Sequence, residues 1–418
     1  MAEIYRTRRD LLHWAQGLFA VGAAQAMPAA AAEKQPEAAG IDYYEKLGVT
    51  KIINAAGTYT FLTASIMPPE VQAAVSLSAK HPVRLAELQK AAGEYLARRL
   101  QCEAALVSAG AASALTLGTA ACLTVANSSA KTRMPVDMSG LKNEVVVQKT
   151  HRYDYDHALL NCGIRFVEVE TLDQYQAAFN EKTVMAHFFN AAVGGQISRE
   201  DWIRIAHQHG VPCFNDSAAD VPPISNLWNY TKMGFDLVTF SGGKGIRGPQ
   251  NAGLLLGRRD LIAAAEANNN PHSETIGRGM KVAKEQIVGM VAAVDWFLSQ
   301  TDEGMQTEFQ RRADTIASHL KDIPTLEART AMMPVANHIP HLLLRYDQSR
   351  VKISPLDVAE ELRRGNPSIE LNPETGSKND HGLGSDENTI VVGVWMLQPG
   401  EDLIVANRLN EVLRKAIA

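Results

Sequence analysis

The sequence predicts an α/β fold in two parts: a large domain over residues 61–300 on a mostly parallel central sheet, and a smaller α+β domain over residues 301–418. Three observations predict it. From Glu87 to Leu256, short apolar runs alternate with segments of helical periodicity, which calls for right-handed crossovers between parallel strands. The last two runs, Leu237 to Phe240 and Ala252 to Leu256, are too close for a helix between them; they should form a hairpin and put one antiparallel strand in the sheet. After a long helix from Met280 to about Ser318, a few short strands alternate with helices, the pattern of a separate α+β domain.

Composition sets the outer bounds. At 418 residues, 46% hydrophobic and 21% charged, the chain has enough apolar surface for a core of more than one layer, and disorder is excluded as its main state. The net charge of −5 gives no basic excess to neutralise a phosphate backbone, so no nucleic-acid partner is expected. No run of about 18 uncharged apolar residues follows the first forty positions, which speaks against an integral membrane protein. The cysteines Cys102, Cys122, Cys162 and Cys213 show no CxxC spacing and no nearby histidine cluster; they read as buried thiols, and no metal site is expected.

Taken in order, Thr7-Arg8-Arg9-Asp10-Leu11-Leu12 precedes a moderately apolar stretch from Leu18 to Ala32 that ends in alanines. A charged start, an apolar middle and small residues at Ala24-Gln25-Ala26 or Ala29 to Ala32 are the parts of a twin-arginine export signal over residues 1–32. An amphipathic helix packed on the body is the other reading. Export would put the mature protein in the periplasm, by a route that carries proteins already folded, often around a cofactor. Residues 33–60 form an N-terminal segment. The helix Glu87 to about Leu100 then leads into the strand Ala104 to Ser108, the turn Gly110-Ala111-Ala112-Ser113 and the helix Ala114 to Thr124. Strands follow at Glu144 to Gln148, Arg165 to Glu168, Val184 to Phe189 and Pro212 to Asn215, with helices at Tyr155 to Asn161 and Glu200 to Gln208. In the smaller domain, strands near His338 to Arg345, Ser368 to Leu371 and Thr389 to Val394 alternate with helices near Pro355 to Arg364 and Gly400 to Ile417.

The most informative segment is Ser241-Gly242-Gly243-Lys244-Gly245-Ile246-Arg247-Gly248-Pro249-Gln250, between the two strands of the hairpin. Gly243, Gly245 and Gly248 match a dinucleotide fingerprint, but that motif opens a helix, and here Pro249 and an apolar strand follow. A phosphate-cradling P-loop also fails, because Val238 stands where its first glycine belongs and Gly245 where the hydroxyl after the lysine belongs. The third reading is a Schiff-base lysine: glycines let backbone approach a flat ligand, and a buried amine can form an imine with an aldehyde. Twenty-eight residues earlier, at the end of a strand, Asp216 is a carboxylate able to pair with a protonated pyridine nitrogen.

The sequence from about Ile41 onward resembles pyridoxal-phosphate enzymes of the aspartate aminotransferase fold type. Within them it is most similar to the selenium transferase-like branch that includes D-glucosaminate-6-phosphate ammonia-lyases. The carriers are Ile53-Asn54-Ala55-Ala56-Gly57-Thr58, the turn from Ser108 to Ser113, Lys149-Thr150-His151, Asn215-Asp216, the lysine loop with its Gly248-Pro249-Gln250 ending, and the run from Gly277 to Glu285. The resemblance implies pyridoxal 5'-phosphate as cofactor and Lys244 as its covalent, catalytic residue. It implies a phosphate site at Gly110, Ala111, Ala112 and Ser113, where N–H groups and a helix dipole converge, with Ser241 adding a donor. By the same resemblance His151 stacks on the pyridine ring, Asn190 donates to the ring oxygen and Asp216 keeps the ring nitrogen protonated. Arg247, Arg278 and Arg345 are candidates for the substrate carboxylate. Arg278, Lys281 and Lys284 share one face, which the resemblance would place across the interface of a homodimer or larger homo-oligomer.

The implied reaction is that of a carbon–oxygen or ammonia lyase: β-elimination from a β-hydroxy or polyhydroxy amino acid, giving a keto acid and ammonia. Racemisation or epimerisation would use the same residues and stays open. Selenium transfer onto a seryl-tRNA fits the charge and the export signal poorly. A non-catalytic exported protein that keeps the fold is the reading of another class, opposed by the joint presence of Lys244, Asp216 and the phosphate turn.

Overall fold

The computed structural model describes residues 40–192, 194–195, 197–379 and 382–418, so the expected export signal over residues 1–32 lies outside the described residues. The chain divides into two units. The described part of the first, residues 40–50, holds one short helix, α1 (Tyr43–Leu47), opened by the Asp42 carboxylate accepting from the N–H groups of Tyr44 and Glu45 and closed by left-handed Gly48. The second unit runs from Lys51 to Ala418.

That second unit starts with β1 (Ile52–Ala55), α2 (Pro69–Ala79) and α3 (Leu85–Arg99). The large lobe then follows as β2 (Ala104–Ser108), α4 (Ala111–Thr124), β3 (Glu144–Gln148), α5 (Asp156–Leu160), β4 (Arg165–Val169), α6 (Leu172–Ala177), β5 (Thr183–Phe189), α7 (Arg199–Gln208), β6 (Cys213–Asp216), α8 (Asn226–Met233), β7 (Leu237–Ser241) and β8 (Gly253–Gly257). Helices α9 (Arg259–Asn268) and α10 (Lys284–Leu298) complete it. The strands form one seven-stranded sheet in the order β2-β8-β7-β6-β5-β3-β4. The predicted hairpin is β7–β8, with Thr239 opposite Leu255, and β8 is antiparallel to both neighbours while every other pair is parallel.

Successive strand residues point to opposite faces, and both faces are covered by helices, which is why these strands read as unbroken apolar runs. On one face Val107, Val146, Phe188 and Phe240 pack with Trp202 of α7 and Ile287 of α10. On the other, Leu106, Val145, Phe214 and Leu255 pack against Leu115 and Leu117 of α4. Helix α4 is buried from Ser113 to Thr124 and is built of alanine, leucine, threonine, serine, cysteine and glycine, with no charged residue, as a helix enclosed on all sides must be. Its first turn therefore sits in the body of the lobe.

The smaller lobe comprises α11 (Asp302–His319), β9 (Glu327–Met332), β10 (Pro340–Arg345), α12 (Pro355–Arg364), β11 (Ser368–Leu371), β12 (Thr389–Gly393) and α13 (Glu401–Lys415). Its antiparallel sheet has the order β12-β10-β9, and β1 pairs in parallel with β11, Asn54 opposite Glu370. The N-terminal strand thus joins the core of the smaller lobe through Ile53 and Ala55. One expectation is corrected: the long helix from Met280 to about Ser318 is two helices. Thr301 caps α11 by accepting the N–H of Gly304 at 3.1 Å, and Lys284 opens α10, leaving Met280 to Ala283 as loop.

Candidate active site

Parallel strands β3, β5, β6 and β7 deliver their carboxyl ends to one edge of the sheet, where α4 also begins. Such an edge is where ligands bind in open α/β sheets. The lysine loop leaves β7 there. Its fold is fixed by backbone bonds, Gly242 N–H to the Ala252 carbonyl at 2.8 Å and Gly248 N–H to the Gly242 carbonyl at 2.7 Å. Glycine is required at 245, since a Cβ there would stand 2.2 Å from the Val221 carbonyl oxygen. The Ser65 hydroxyl donates to the Gly243 carbonyl at 2.7 Å and clamps the loop from the N-terminal side. Burial pushes the Lys244 amine below the usual lysine range, while Asp216 and Asp220 pull it back up.

Asp216 ends β6 and is buried. One carboxylate oxygen accepts the Ala218 N–H at 3.0 Å and the other accepts the Tyr153 hydroxyl. Burial raises its pKa; the Tyr153 hydroxyl, the Ala218 N–H and the Lys244 cation oppose the rise. Tyr153 lies flat on Phe189, ring centroids 4.0 Å apart and planes at 17°. Four residues on, Asp220 is fully buried and its carboxyl is pushed up to about 6, by burial first and by the Asp216 charge as well.

Lys244, Asp216, Ser241, Tyr153 and the N-terminal turn of α4 open on one cavity of about 310 Å³. Gly110, Ala111 and Ala112 line it with the free N–H groups of a 14-residue helix, the positive end of its dipole. Beside them the Ser113 hydroxyl oxygen is buried with no hydrogen-bond partner. The turn is held tight by β8, because a Cβ at Gly253 would stand 2.5 Å from the Gly110 carbonyl carbon. An anion-binding turn, a buried amine and a buried carboxylate on one cavity are the donor set for a ligand with a phosphate, an aldehyde and a basic ring nitrogen. The residues present fit that group.

A second cavity of about 360 Å³ adjoins the first and shares Lys244, Thr60, Tyr155, Ala191 and Ala219 with it. It extends toward the smaller lobe, to His341, Asn372, Glu374 and Trp395.

The other predicted residues lie as follows. His151 is buried but does not line the first cavity; its Nδ1 accepts the Phe189 N–H at 3.2 Å, its ring meets Phe188 edge-on, and burial takes its pKa down to about 4. The rings that line the cavity are those of Tyr153, two residues further along, Tyr155 and Phe189. The Asn190 side chain is engaged behind the cavity, donating to Asp220 and to the Tyr230 hydroxyl and accepting from Arg199. Arg247 donates to the Ile66 carbonyl at 3.1 Å and stands over the Trp296 ring, in a separate cavity behind the lysine loop. Arg278 is exposed in the loop before α10, and Arg345 pairs with Asp386 at 3.0 Å. Neither lines the two cavities that share Lys244. Sequence reasoning missed Tyr153, Tyr155 and Asp220. The run Arg152-Tyr153-Asp154-Tyr155 after β3 was the available signal for the tyrosines, and Asp220 stood in Asn215-Asp216-Ser217-Ala218-Ala219-Asp220.

Residues 52–309 match the family model described as SelA, L-seryl-tRNA selenium transferase. The chain is 27% identical over 390 residues to a D-glucosaminate-6-phosphate ammonia lyase of Salmonella typhimurium, covering 89% of this chain and 98% of that protein. It is 31% identical over 342 residues to a 5'-C-glycyluridine monooxygenase-decarboxylase of a Streptomyces species, covering 78% and 83%. Among solved structures, that of a D-glucosaminate-6-phosphate ammonia-lyase superposes with a TM-score of 0.76 at 28% identity, covering 90% of this chain and 99% of that one. A cysteine desulfurase from Escherichia coli, at TM-score 0.50 and 14% identity, shares the fold alone.

Proposed function

We propose that this chain, which belongs to the L-seryl-tRNA selenium transferase family, is a pyridoxal-phosphate-dependent lyase acting by β-elimination on a β-hydroxy or polyhydroxy amino acid. The observation that carries the reading is the shared cavity, where a buried amine, a buried carboxylate and a helix N-terminus converge. Similarity to an ammonia lyase over most of the chain supports the reaction type.

Pyridoxal phosphate, when bound, supplies an aldehyde that captures amino groups and a ring that takes up electrons released at the neighbouring carbon. The N–H groups of α4 and the hydroxyls of Ser113 and Ser241 would hold its phosphate, Asp216 its ring nitrogen and Lys244 its aldehyde carbon. Asp216 would keep a proton on the ring nitrogen, and the Tyr153 hydroxyl with the Ala218 N–H fixes the carboxylate in place. Burial lowers the pKa of the Lys244 amine and so favours the neutral form, whose Nζ can take the proton from the substrate α-carbon. The β-hydroxyl then leaves with a proton as water. Return of water to the nitrogen-bearing carbon frees ammonia and leaves a 2-keto acid, so atoms balance.

The test is direct. The purified protein should carry the visible absorbance of a lysine-bound aldehyde cofactor and release ammonia and keto acid in equal amounts from one member of a panel of D- and L-β-hydroxy amino acids. Lys244→Ala should lose both the absorbance and the release. Optical inversion without ammonia, or a variant that keeps both properties, overturns the reading.

A further inference from the structure

We infer that Tyr155 is the acid that protonates the departing β-hydroxyl group of the substrate. This rests on the elimination reading, in which Lys244 takes the α-proton and some further group must supply the proton with which the hydroxyl leaves as water.

The two cavities meet at Lys244, Thr60, Tyr155, Ala191 and Ala219, the described residues that line both. In an amino acid whose α-carbon lies within reach of Lys244, the β-carbon is one bond away. Its oxygen therefore belongs at this junction, and so does the group that protonates it.

Local structure brings the Tyr155 side chain there. Arg152 pairs with the carboxylates of Asp156 and Glu168, which ties the run after β3 to β4. The Asp156 N–H donates to the Tyr153 carbonyl at 3.1 Å and the Ala158 N–H to the Tyr155 carbonyl at 2.9 Å, so Tyr155 is the N-cap residue of α5. Tyr153 is committed to Asp216 through its hydroxyl and to Phe189 through its ring. The Tyr155 ring, 5.8 Å from that of Tyr153 between centroids, reaches the junction.

The chemistry selects Tyr155 among its neighbours. A phenol carries its proton at neutral pH and yields it to a leaving oxygen more readily than the alcohol of Thr60 does. Ala191 and Ala219 have no proton to give. His341 lines the second cavity but not the first, and burial lowers its pKa, which favours the neutral ring. The step balances. The bond from β-carbon to oxygen breaks with its electron pair left on oxygen, the phenolic proton joins that oxygen, and water departs. The phenolate then recovers a proton from the Lys244 ammonium, and both groups end as they began.

The experiment uses the protein loaded with pyridoxal phosphate and the hydroxy amino acid from which it releases ammonia fastest. In deuterium oxide, exchange of the α-hydrogen is followed by nuclear magnetic resonance and ammonia is assayed alongside. Tyr155→Phe should slow ammonia release by at least about 100-fold while exchange, which needs Lys244 alone, stays within about threefold of wild type. Equal loss of both rates, the mark of a merely structural role, overturns the inference. Unchanged release overturns it too, and assigns both proton transfers to Lys244. Tyr155→Phe removes one oxygen and keeps the ring; if it nonetheless loses the visible absorbance of the cofactor, Tyr155→Leu is judged on the same two rates. A wild-type protein that exchanges the α-hydrogen without releasing ammonia, or does neither, sinks the elimination reading and this inference with it. A wild-type protein that releases ammonia, with a variant that fails either comparison, sinks the inference alone.

Discussion

Asp220→Asn should make the cofactor-free protein more stable at pH 8 and less stable at pH 4. Asp220 is fully buried, one of its oxygens has no hydrogen-bond partner, and the Asp216 charge lies close enough to raise its pKa. These features push the carboxyl from 3.8 to about 6, although Asn190 and Tyr230 oppose the shift by favouring the ionised form. The sign follows from proton counting. Between about pH 4 and pH 6 the unfolded chain has released this proton while the folded chain still holds it, so unfolding becomes easier as pH rises. Stability from this source is complete below the unfolded pKa and is lost as pH passes the folded one. At about 1.4 kcal/mol per unit, the gap between 3.8 and about 6 is worth about 3 kcal/mol.

An asparagine does not titrate, so the variant escapes that loss. Its carbonyl still accepts from Asn190, but its NH₂ group takes the place of an oxygen that has no hydrogen-bond partner and is buried unsatisfied, a cost of about 1 kcal/mol at any pH. The expected balance is about 2 kcal/mol gained at pH 8 and about 1 kcal/mol lost at pH 4. Urea unfolding of both proteins at the two pH values measures it, and the difference between the two ΔΔG values is the informative quantity because pH-independent effects cancel. A ΔΔG that is the same at both pH values would refute the assignment of the loss to the Asp220 charge. Removing this acid also withdraws one of the two carboxylates that raise the pKa of Lys244, so extra stability should come with a more weakly basic amine.

Ser113→Ala should leave the cofactor-free protein within about 0.5 kcal/mol of wild type, since the hydroxyl oxygen has no partner there. Pyridoxal phosphate should bind about 10- to 100-fold more weakly for want of one hydrogen bond to a charged group, as read by equilibrium dialysis; unchanged affinity would remove Ser113 from the phosphate site. Tyr153→Phe strips Asp216 of a hydroxyl donor, so its pKa should rise further. Destabilisation of about 1–3 kcal/mol is expected at pH 8 and less at pH 4, because the lost hydroxyl favours the ionised carboxylate. Equal loss at both pH values would show that the tyrosine acts by packing on Phe189 alone.

Strand alternation made the large lobe legible because its strands are covered on both faces and so read as apolar runs; Ala104–Ser108 and Glu144–Gln148 have the expected bounds. Strand β9 was not legible, since its residues are almost all exposed and only pairing with β10 makes it a strand. Strand β1 is four residues long and finds its partner over 300 positions away, a pairing that no local pattern encodes. The site divides in the same manner. Lys244, Asp216 and the α4 turn each carry a local signature of glycines, strand ends or a helix start. Tyr153 does not, because its role depends on the turn Lys149–His151 burying one ring, His151, against Phe188 and bringing a later one to Asp216.

This division has a consequence for the chemistry. The first cavity is lined mainly by the sheet edge, α4 and the lysine loop, all in the large lobe and anchored by buried strands, so its geometry is set by one core. The second is closed in part by the segments that follow β1 and β11, strands whose Ile53, Ala55, Ile369 and Leu371 belong to the other core. Substitutions at Tyr59, His341, Asn372 or Glu374 can therefore change what reaches Lys244 without disturbing the packing that holds Asp216 and the phosphate turn. Similarity to proteins with different named activities is in keeping with that arrangement, and the residues of the second cavity are where a difference in substrate should be sought.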